Sequence, residues 1–376
     1  MDLMVLYGCL HGAATGLDTK FGLEFQWDIP LLNGYRWKCL PSVTGSRYPR
    51  APLRPLSLAV IRELVGGRYD VLVVHGYAEV TDWLAIGAAR AGGTAVLVRG
   101  ESNLLRSRRP WKRAAKRLVM KLLFSMIDGY IAIGSESRRY AEFYGMPPNR
   151  IFVAPYCVDN RLFKLASTGG RQRIRAEMGI AADAVVFAYV GKLYSRKAPM
   201  DLLEAFALSG ACGSAVLMFV GDGVQRCKLE ERAKSERLEG VRFAGFVNQS
   251  GLPQYYAASD AVVLPSLAEP WGLVINEAMA CGRAVVASSA CGSAADLVRE
   301  GVNGYVFPAG DVRALAEILR HLRTNPKKLQ AMGRASEAII ADWSPEVCAG
   351  RIAEAARRVV ECRRSAAWLP QKLSGG

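Results

Sequence analysis

The amino-acid sequence predicts an α/β protein built as two Rossmann-like, parallel-sheet domains facing a cleft. Three observations carry this expectation. Short β-branched runs alternate with helical patterns over nearly the whole chain, and the alternation breaks once and restarts. The chain has 376 residues, which suits two domains of about 100–200 residues each. Apolar residues make up 51% and charged residues 22%, a balance that fills large cores and argues against disorder.

In the first half, strands are expected at 4–7, 71–74, 95–99, 129–133 and 151–154, with helices at 57–65, 80–90 and 111–125 among them. In the second half the strands are 185–190, 215–220, 241–244, 261–264, 284–287 and 304–306. Their helices include 200–208, 225–235, 252–257, 273–280, 294–299 and 312–324. Continuous apolar strands separated by amphipathic helices mean parallel sheets covered on both faces. Residues 160–182 are polar, carry Gly169 and Gly170, and read as a linker plus one charged helix. The expected division is therefore 1–160, 161–342, and helices over 343–376 that pack back toward the N-terminal domain. The last residues, 371–376, read as frayed. In such sheets ligands sit beyond the carboxyl ends of the strands, so the loops after strands carry the functional reading.

No apolar run reaches the ~18 uncharged residues of a membrane span. The run 118–127 is interrupted by Lys121, and 184–190 is short. The opening MDLMVLYGCL has neither a basic leader nor a cleavage site and reads as a buried first strand. Nine cysteines without a CxxC pair fit a reducing cytoplasm and no disulfide framework. With three histidines, His11, His75 and His321, a His-rich metal site is not expected. Lysine and arginine total 49 against 34 acids, a net +15. That excess predicts an anionic partner (nucleotide, nucleic acid, phosphorylated substrate or acidic membrane); the alternative is a solvated basic surface.

The segment LPSLAEPWGLVINEAMACGRAVVA reads as strand, loop, helix, Gly turn and strand. Glu269 lies in the loop, the helix opens near Trp271 and Gly272, and Glu277 follows eight residues after Glu269. A helix start presents free N–H groups and a positive dipole end, which favour phosphate. Gly272 lets backbone approach a ligand closely. A carboxylate before this point can accept hydrogen bonds from sugar hydroxyls, and one a turn further in can hold a ribose diol. Either acid alone reads equally as a cap or a surface residue; the pair within a well-packed helix does not. A second cluster, VVFAYVGKLYSRKAPMDLLEAF, ends a strand at Gly191 and places Lys192 and Lys197 before a helix that starts near Pro199. Two cations in such a loop suit a diphosphate, or are simply solvated. The turn FVGDG does not fit GxGxxG and gives dinucleotide oxidoreduction no support.

Residues 185–342 resemble the family 4 retaining glycosyltransferases, glycosyl transferases group 1, of GT-B fold. The resemblance rests on VGKLYSRKAPMDLLEAF, FVGDG, VRFAGFV, LPQYYAASDAVVLPSLAEPWGLVINEAMACGRAVVAS and GVNGYVFPAGD, in the family's order, with its Glu-x7-Glu signature at Glu269 and Glu277. In the first half, FGLEFQWDIPLLNGY resembles the N-terminal segment of some bacterial members. IFVAPYCVD resembles the interdomain PNGVD element, with Tyr156 and Cys157 in place of Asn and Gly.

The resemblance implies an acceptor domain followed by a nucleotide-sugar donor domain. It implies that Lys192 and Lys197 contact the donor diphosphate and that Glu269 lies against the donor sugar, these three forming the catalytic set. It implies that Gly272, Leu273 and Val274 offer amides to sugar and phosphate, that Glu277 holds the ribose, and that Phe246 and Val247 lie near the base. The implied reaction is glycosyl transfer with retention, from a UDP-, GDP- or ADP-sugar co-substrate, with no cofactor and no metal. Many members carry a histidine after an N-domain strand. Here that strand runs into Arg99, Gly100, Glu101 and Ser102, so Arg99 or Glu101 takes the role, or His75 in VLVVHGY does. His11, in the Gly-rich stretch 8–16, should border the acceptor side; His321 reads as surface.

From Arg106 to Lys121 eight of sixteen residues are basic. Lys112, Arg113, Lys116, Arg117 and Lys121 are expected on one helical face, with Trp111, Ala115, Leu118, Leu122 and Phe124 mostly on the other. The segment reads either as a surface helix with its apolar face to the core, or as one docking on anionic lipid. Docking would place the protein peripherally on the inner face of the membrane, with a sugar or lipid-linked acceptor of polysaccharide or glycolipid assembly. A soluble small-molecule acceptor is the alternative. A basic nucleic-acid- or membrane-binding protein without activity is the reading of another class. No RNP, zinc-finger or helix-turn-helix signature supports nucleic acid as a partner.

Overall fold

The structure, a computed structural model, describes residues 2–18, 23–43, 56–66, 69–105, 109–210 and 214–365. Arg106 and Arg108 of the basic segment, the first two residues of FGLEFQWDIPLLNGY, and 371–376 lie outside the described residues. Fourteen strands are described. The first eight are β1 (Met4–Tyr7), β2 (Gly16–Asp18), β3 (Leu23–Phe25), β4 (Arg36–Cys39), β5 (Val71–His75), β6 (Ala95–Gly100), β7 (Gly129–Ala132) and β8 (Ile151–Val153). The rest are β9 (Val185–Val190), β10 (Ala215–Val220), β11 (Val241–Gly245), β12 (Ala261–Leu264), β13 (Ala284–Ser288) and β14 (Gly304–Phe307). The helices begin with α1 (Ala59–Val65), α2 (Val80–Ala91), α3 (Pro110–Met126), α4 (Ser135–Phe143), α5 (Asn160–Ala166), α6 (Gly170–Glu177) and α7 (Pro199–Leu208). They continue with α8 (Arg226–Ser235), α9 (Leu252–Ala258), α10 (Leu273–Ala280), α11 (Ala294–Leu297), α12 (Val312–Arg323), α13 (Pro326–Ile340) and α14 (Pro345–Arg364).

The chain divides into two compact units, one of Met1–Ala14, Leu31–Pro155 and Glu346–Gly376, the other of Thr15–Pro30 and Tyr156–Pro345. A single boundary near residue 160 does not describe Thr15–Pro30. These residues cluster with the second unit because Asp28 accepts from the Ser250 amide at 3.1 Å and pairs with its hydroxyl, while Asn248 donates to the Gln26 carbonyl at 2.8 Å.

The first unit holds a parallel sheet in the order β5-β6-β7-β8, and β1 pairs separately with β4. Its core gathers Ile86, Val96, Val98, Met120, Leu123, Ile127, Tyr130 and Tyr140. The last helix belongs here: Arg363 on α14 donates to the buried Asp128 at 3.1 Å, and Arg358 lies 5.5 Å from the Phe152 ring.

The second unit is a six-stranded parallel sheet ordered β11-β10-β9-β12-β13-β14. Every residue of β9, β10, β12 and β13 is buried, as expected of strands covered on both faces. Amphipathic helices supply the cover. In α12, Leu315, Ala316, Leu319 and Leu322 are buried at helical spacing, and the Asp311 carboxylate caps the first turn through the Ala314 amide at 2.9 Å. Residues 160–182 form two helices, α5 and α6, rather than a linker and one helix. Arg175 on α6 is 3% exposed and knits this segment to the sheet. It donates to the carbonyls of Ala258, Ala181, Ala182 and Ala184 and to Asp260, whose carboxylate also accepts from the Val186 amide at 2.8 Å.

Candidate functional site

The strand order of the second unit reverses between β9 and β12, and in open α/β sheets ligands collect beyond the strand ends at such a reversal. The loops that leave these two strands carry the cations and carboxylates picked out by sequence. After β9 the chain turns at Gly191 (φ +141°) into Lys192, Leu193 and a short 3-10 turn over Ser195–Lys197. After β10, Gly221 (φ +141°) crosses beside it so closely that a Cβ there would sit 2.0 Å from the Gly191 carbonyl oxygen. Only glycine fits this approach. The Gly191 and Gly221 amides reach the carbonyls of Val220 and Gly245, and the Leu193 amide reaches Asp222, so the three strand ends are laced by backbone.

The loop after β12 is fixed on its other flank. The Glu269 amide donates to Ala290 at 3.0 Å, and the Gly292 amide donates back to Glu269 at 3.1 Å. Gly272 (φ +95°) opens α10; a Cβ there would lie 2.7 Å from Leu264 and 2.9 Å from the Cys291 sulfur. These constraints hold Glu269 where its carboxylate pairs with the Lys197 ammonium. Both side chains are mostly covered, at 13% and 18% exposure. Lys192, Leu273, Val274, Phe246 and Val247 are half-buried around the same strand ends.

Glu277, five residues into α10, is buried at 7% exposure. The Tyr256 hydroxyl donates to its carboxylate at 2.5 Å. Burial raises the Glu277 pKa above its ordinary 4.5, opposed by Tyr256 and by Lys197. The folded chain therefore holds that proton more tightly than the unfolded one. Stability is lost as pH rises from the unfolded value through the raised folded value. Glu277→Gln keeps the acceptor for Tyr256 and removes the ionisation, so it should raise the melting temperature at neutral pH and leave it nearly unchanged at acidic pH. Paired thermal melts at the two pH values check this; an equal shift at both would show that ionisation is not the cause.

Sequence reasoning missed the support behind this site. The Trp271 indole donates to Asn276 at 2.8 Å, and Asn276 donates to the Tyr156 carbonyl at 2.9 Å. Trp271 also stacks on Trp343, with ring centres 5.3 Å apart, and lies 6.2 Å from Tyr156. The 271–276 spacing was visible in the sequence; its remote partners were not.

In the first unit, His75 and Arg99 are register partners at the ends of β5 and β6, and Glu101 follows directly. The His75 side chain is exposed to solvent. Desolvation by the neighbouring protein and the Arg99 charge lower its pKa, while Glu101 opposes them. Next to this trio, Tyr77 bonds Ser102 at 2.9 Å and Tyr140 at 3.0 Å. His11 sits in a turn bridged to Ala14. His321 is an exposed residue of α12, 3.1 Å from the Lys328 ammonium. Among the described residues no cluster of three or more His, Cys, Asp or Glu is placed to hold a metal.

The basic helix α3 departs from its expected faces. Met120, Leu123 and Phe124 face the core, whereas Trp111 (64% exposed), Leu118 (71%) and Leu122 (55%) face outward. Lys116 is half-buried, 4.4 Å over the Tyr77 ring, while Lys112, Arg113 and Arg117 are exposed.

Residues 170–338 match the family described as glycosyl transferases group 1, and residues 25–157 match the glycosyl transferase 4-like domain. The chain is 33% identical over 228 residues to a D-inositol 3-phosphate glycosyltransferase of Thermomonospora curvata, covering 56% of this chain and 53% of that protein. A protein of the same name from Kineococcus radiotolerans is 29% identical over 328 residues, 80% of this chain and 69% of its own. The chain thus spans about half the length of the first curated relatives it matches. Among solved structures, Anabaena HepE in complex with UDP superposes with a TM-score of 0.71 at 23% identity, covering 86% of each chain. Sucrose-phosphate synthase from Thermosynechococcus elongatus gives 0.67 at 21%, covering 88% of this chain and 90% of that one. These likenesses are of fold, and the fold is GT-B.

Proposed function

From a chain that belongs to the group 1 glycosyltransferases, we propose an enzyme that moves a sugar from a nucleotide-sugar donor to a hydroxyl acceptor, with retention at the anomeric carbon and without a metal. The observation that carries this is the pairing of Lys197 with Glu269 at the β9/β12 reversal, with Lys192 beside it and Glu277 buried behind. As the bond from the anomeric carbon to the diphosphate breaks, negative charge grows on the leaving oxygen. Lys192, Lys197 and the amides of Leu273 and Val274 are preorganised to receive it. Glu269 takes the sugar hydroxyls, Glu277 the ribose diol, and Phe246 and Val247 the side of the base.

A UDP-linked donor is favoured, because solved structures of the similar HepE hold UDP and UDP-glucose. For the acceptor two readings stand. The relatives' name, D-inositol 3-phosphate glycosyltransferase, and this chain's +15 support a small anionic polyol. The basic helix supports a lipid-linked or polysaccharide acceptor used by a cytoplasmic enzyme touching the inner membrane face. In either case His75, Arg99, Glu101 and His11 are candidates for the acceptor or sugar side.

The test is a thermal-shift screen of UDP-, GDP- and ADP-sugars in EDTA. One nucleotide class should stabilise the chain, and Glu277→Ala should weaken that binding by about 10- to 100-fold, the worth of a hydrogen bond to a charged group. If no nucleotide stabilises the wild type, the reading fails.

A further inference from the structure

We propose that the outward face of α3 is a bilayer-docking surface. Trp111 and Leu122 enter the interface of an anionic membrane together with Leu118, and the cations on either side hold the phosphate headgroups. The proposal rests on the membrane-surface reading above and is independent of the donor site.

The argument begins with an anomaly. A surface helix normally shows one apolar stripe, turned to the core, and a polar face to water. α3 satisfies its core with Met120, Leu123 and Phe124. A second stripe remains on the opposite side. At about 100° per residue, Trp111, Leu118 and Leu122 fall within a narrow sector centred opposite Met120. All three are more than half exposed. The residues beside the sector, Ala114, Ala115 and Ser125, are small and exposed, so the large side chains stand proud. Contiguous apolar exposure of this kind marks an interaction surface.

Charge identifies the occupant. On the wheel, Arg117 and Lys121 flank the stripe on one side and Lys112 on the other, all exposed. α3 contains no acidic residue. Arg117 also lies 5.8 Å from the ring of Phe143, which is 41% exposed. An apolar stripe rimmed on both sides by cations of one sign, with an indole at one end, fits the acyl–headgroup boundary of an anionic bilayer. A protein partner would need a complementary acidic rim around a hydrophobic groove. A second copy of this chain would set cation against cation.

The experiment is co-sedimentation of the full chain with vesicles of phosphatidylglycerol and phosphatidylcholine, and with pure phosphatidylcholine, at low and high salt. Binding is expected to the anionic vesicles at low salt and to fall with salt. Each charge removed at Lys112 or Lys121 should weaken it about five-fold. The double variant Leu118→Ser with Leu122→Ser, whose fold is checked by its melting temperature, should lose at least about ten-fold. Brominated lipid should quench wild-type fluorescence more than that of Trp111→Phe. No binding to anionic vesicles at low salt overturns both the docking surface and the membrane reading. Binding that persists in the Leu118/Leu122 variant, with quenching equal in Trp111→Phe, keeps membrane contact and overturns the assignment to α3. A dimer in sedimentation velocity that the same variant dissolves, without vesicle binding, assigns the stripe to a second copy and overturns it as well.

Discussion

Lys197→Ala is expected to lower the rate of sugar transfer by about two to three orders of magnitude, the usual cost of removing one preorganised group that meets developing charge. Two losses coincide. On the proposed donor-site reading, the diphosphate loses a cation at the moment its leaving oxygen becomes charged. Glu269, mostly covered and paired with Lys197, is left as an uncompensated carboxylate beside that same phosphate. Lys197→Arg keeps the charge but not its position, because the guanidinium is longer and planar; it should recover only part of the rate. The measurement is kcat and KM for the donor with each variant, beside thermal melts. A structural lysine would give lower melting temperatures with kcat/KM near wild type, and that result would remove Lys197 from the catalytic set.

Arg175→Ala is expected to destabilise the second unit by roughly 3–5 kcal/mol, the cost of breaking a buried ion pair from one side. In a unit of this size that is roughly 6–20 °C in melting temperature. The guanidinium is 3% exposed and makes five hydrogen bonds, four to carbonyls and one to Asp260. Alanine leaves those acceptors without their donor. Burial pulls the Arg175 pKa down and Asp260 opposes it, so the site tolerates the charge because it is so fully bonded. Arg171, 2.9 Å from the other Asp260 oxygen, keeps one partner and limits the loss. A change in melting temperature within a degree or two would show that water replaces the guanidinium. Because Arg175 lies on α6, away from the lysine loop, the variant that survives should keep its donor KM.

How much of this was legible in the sequence differs by element and for physical reasons. Strands β9, β10 and β12 were read with their observed limits, since each is a fully buried apolar run closed by Gly191, Gly221 or Pro265. β4, Arg36–Cys39, was not read at all: its residues are exposed, so no burial pattern is written in them. α5 and α6 hid in a segment whose polarity suggested a linker. Their polar side chains are bonding groups, as Arg175 shows. For α3 the helix and its charges were legible and the faces were not. Periodicity reveals that apolar residues recur, but which stripe is covered depends on β-strands and helices elsewhere in the chain. The same division holds at the site. Glu269, Glu277, Lys192 and Lys197 can be picked out as candidates by type and spacing within two strand-to-helix segments. Tyr256, Tyr156 and Trp343 do not, because what gives them a role is contact with α10 and the loop before it, across 21, 120 and 72 residues of chain.

The discontinuous make-up of the two units sets an order of events during synthesis. Residues 15–30 leave the ribosome early, yet the groups they clasp, the Asn248 side chain and the Ser250 amide, follow 222 residues after their partners. The first unit waits longer still, since Asp128 finds Arg363, and Phe152 finds Arg358, only when the last helix emerges. The six-stranded β9–β14 sheet is the largest sheet among the described residues, and a single uninterrupted stretch encodes it, so it can form before the last helix emerges. Cutting the gene at one point between the halves would therefore strip each of a piece: the sheet would lose the strand pair β2–β3, and the other unit would lose α14.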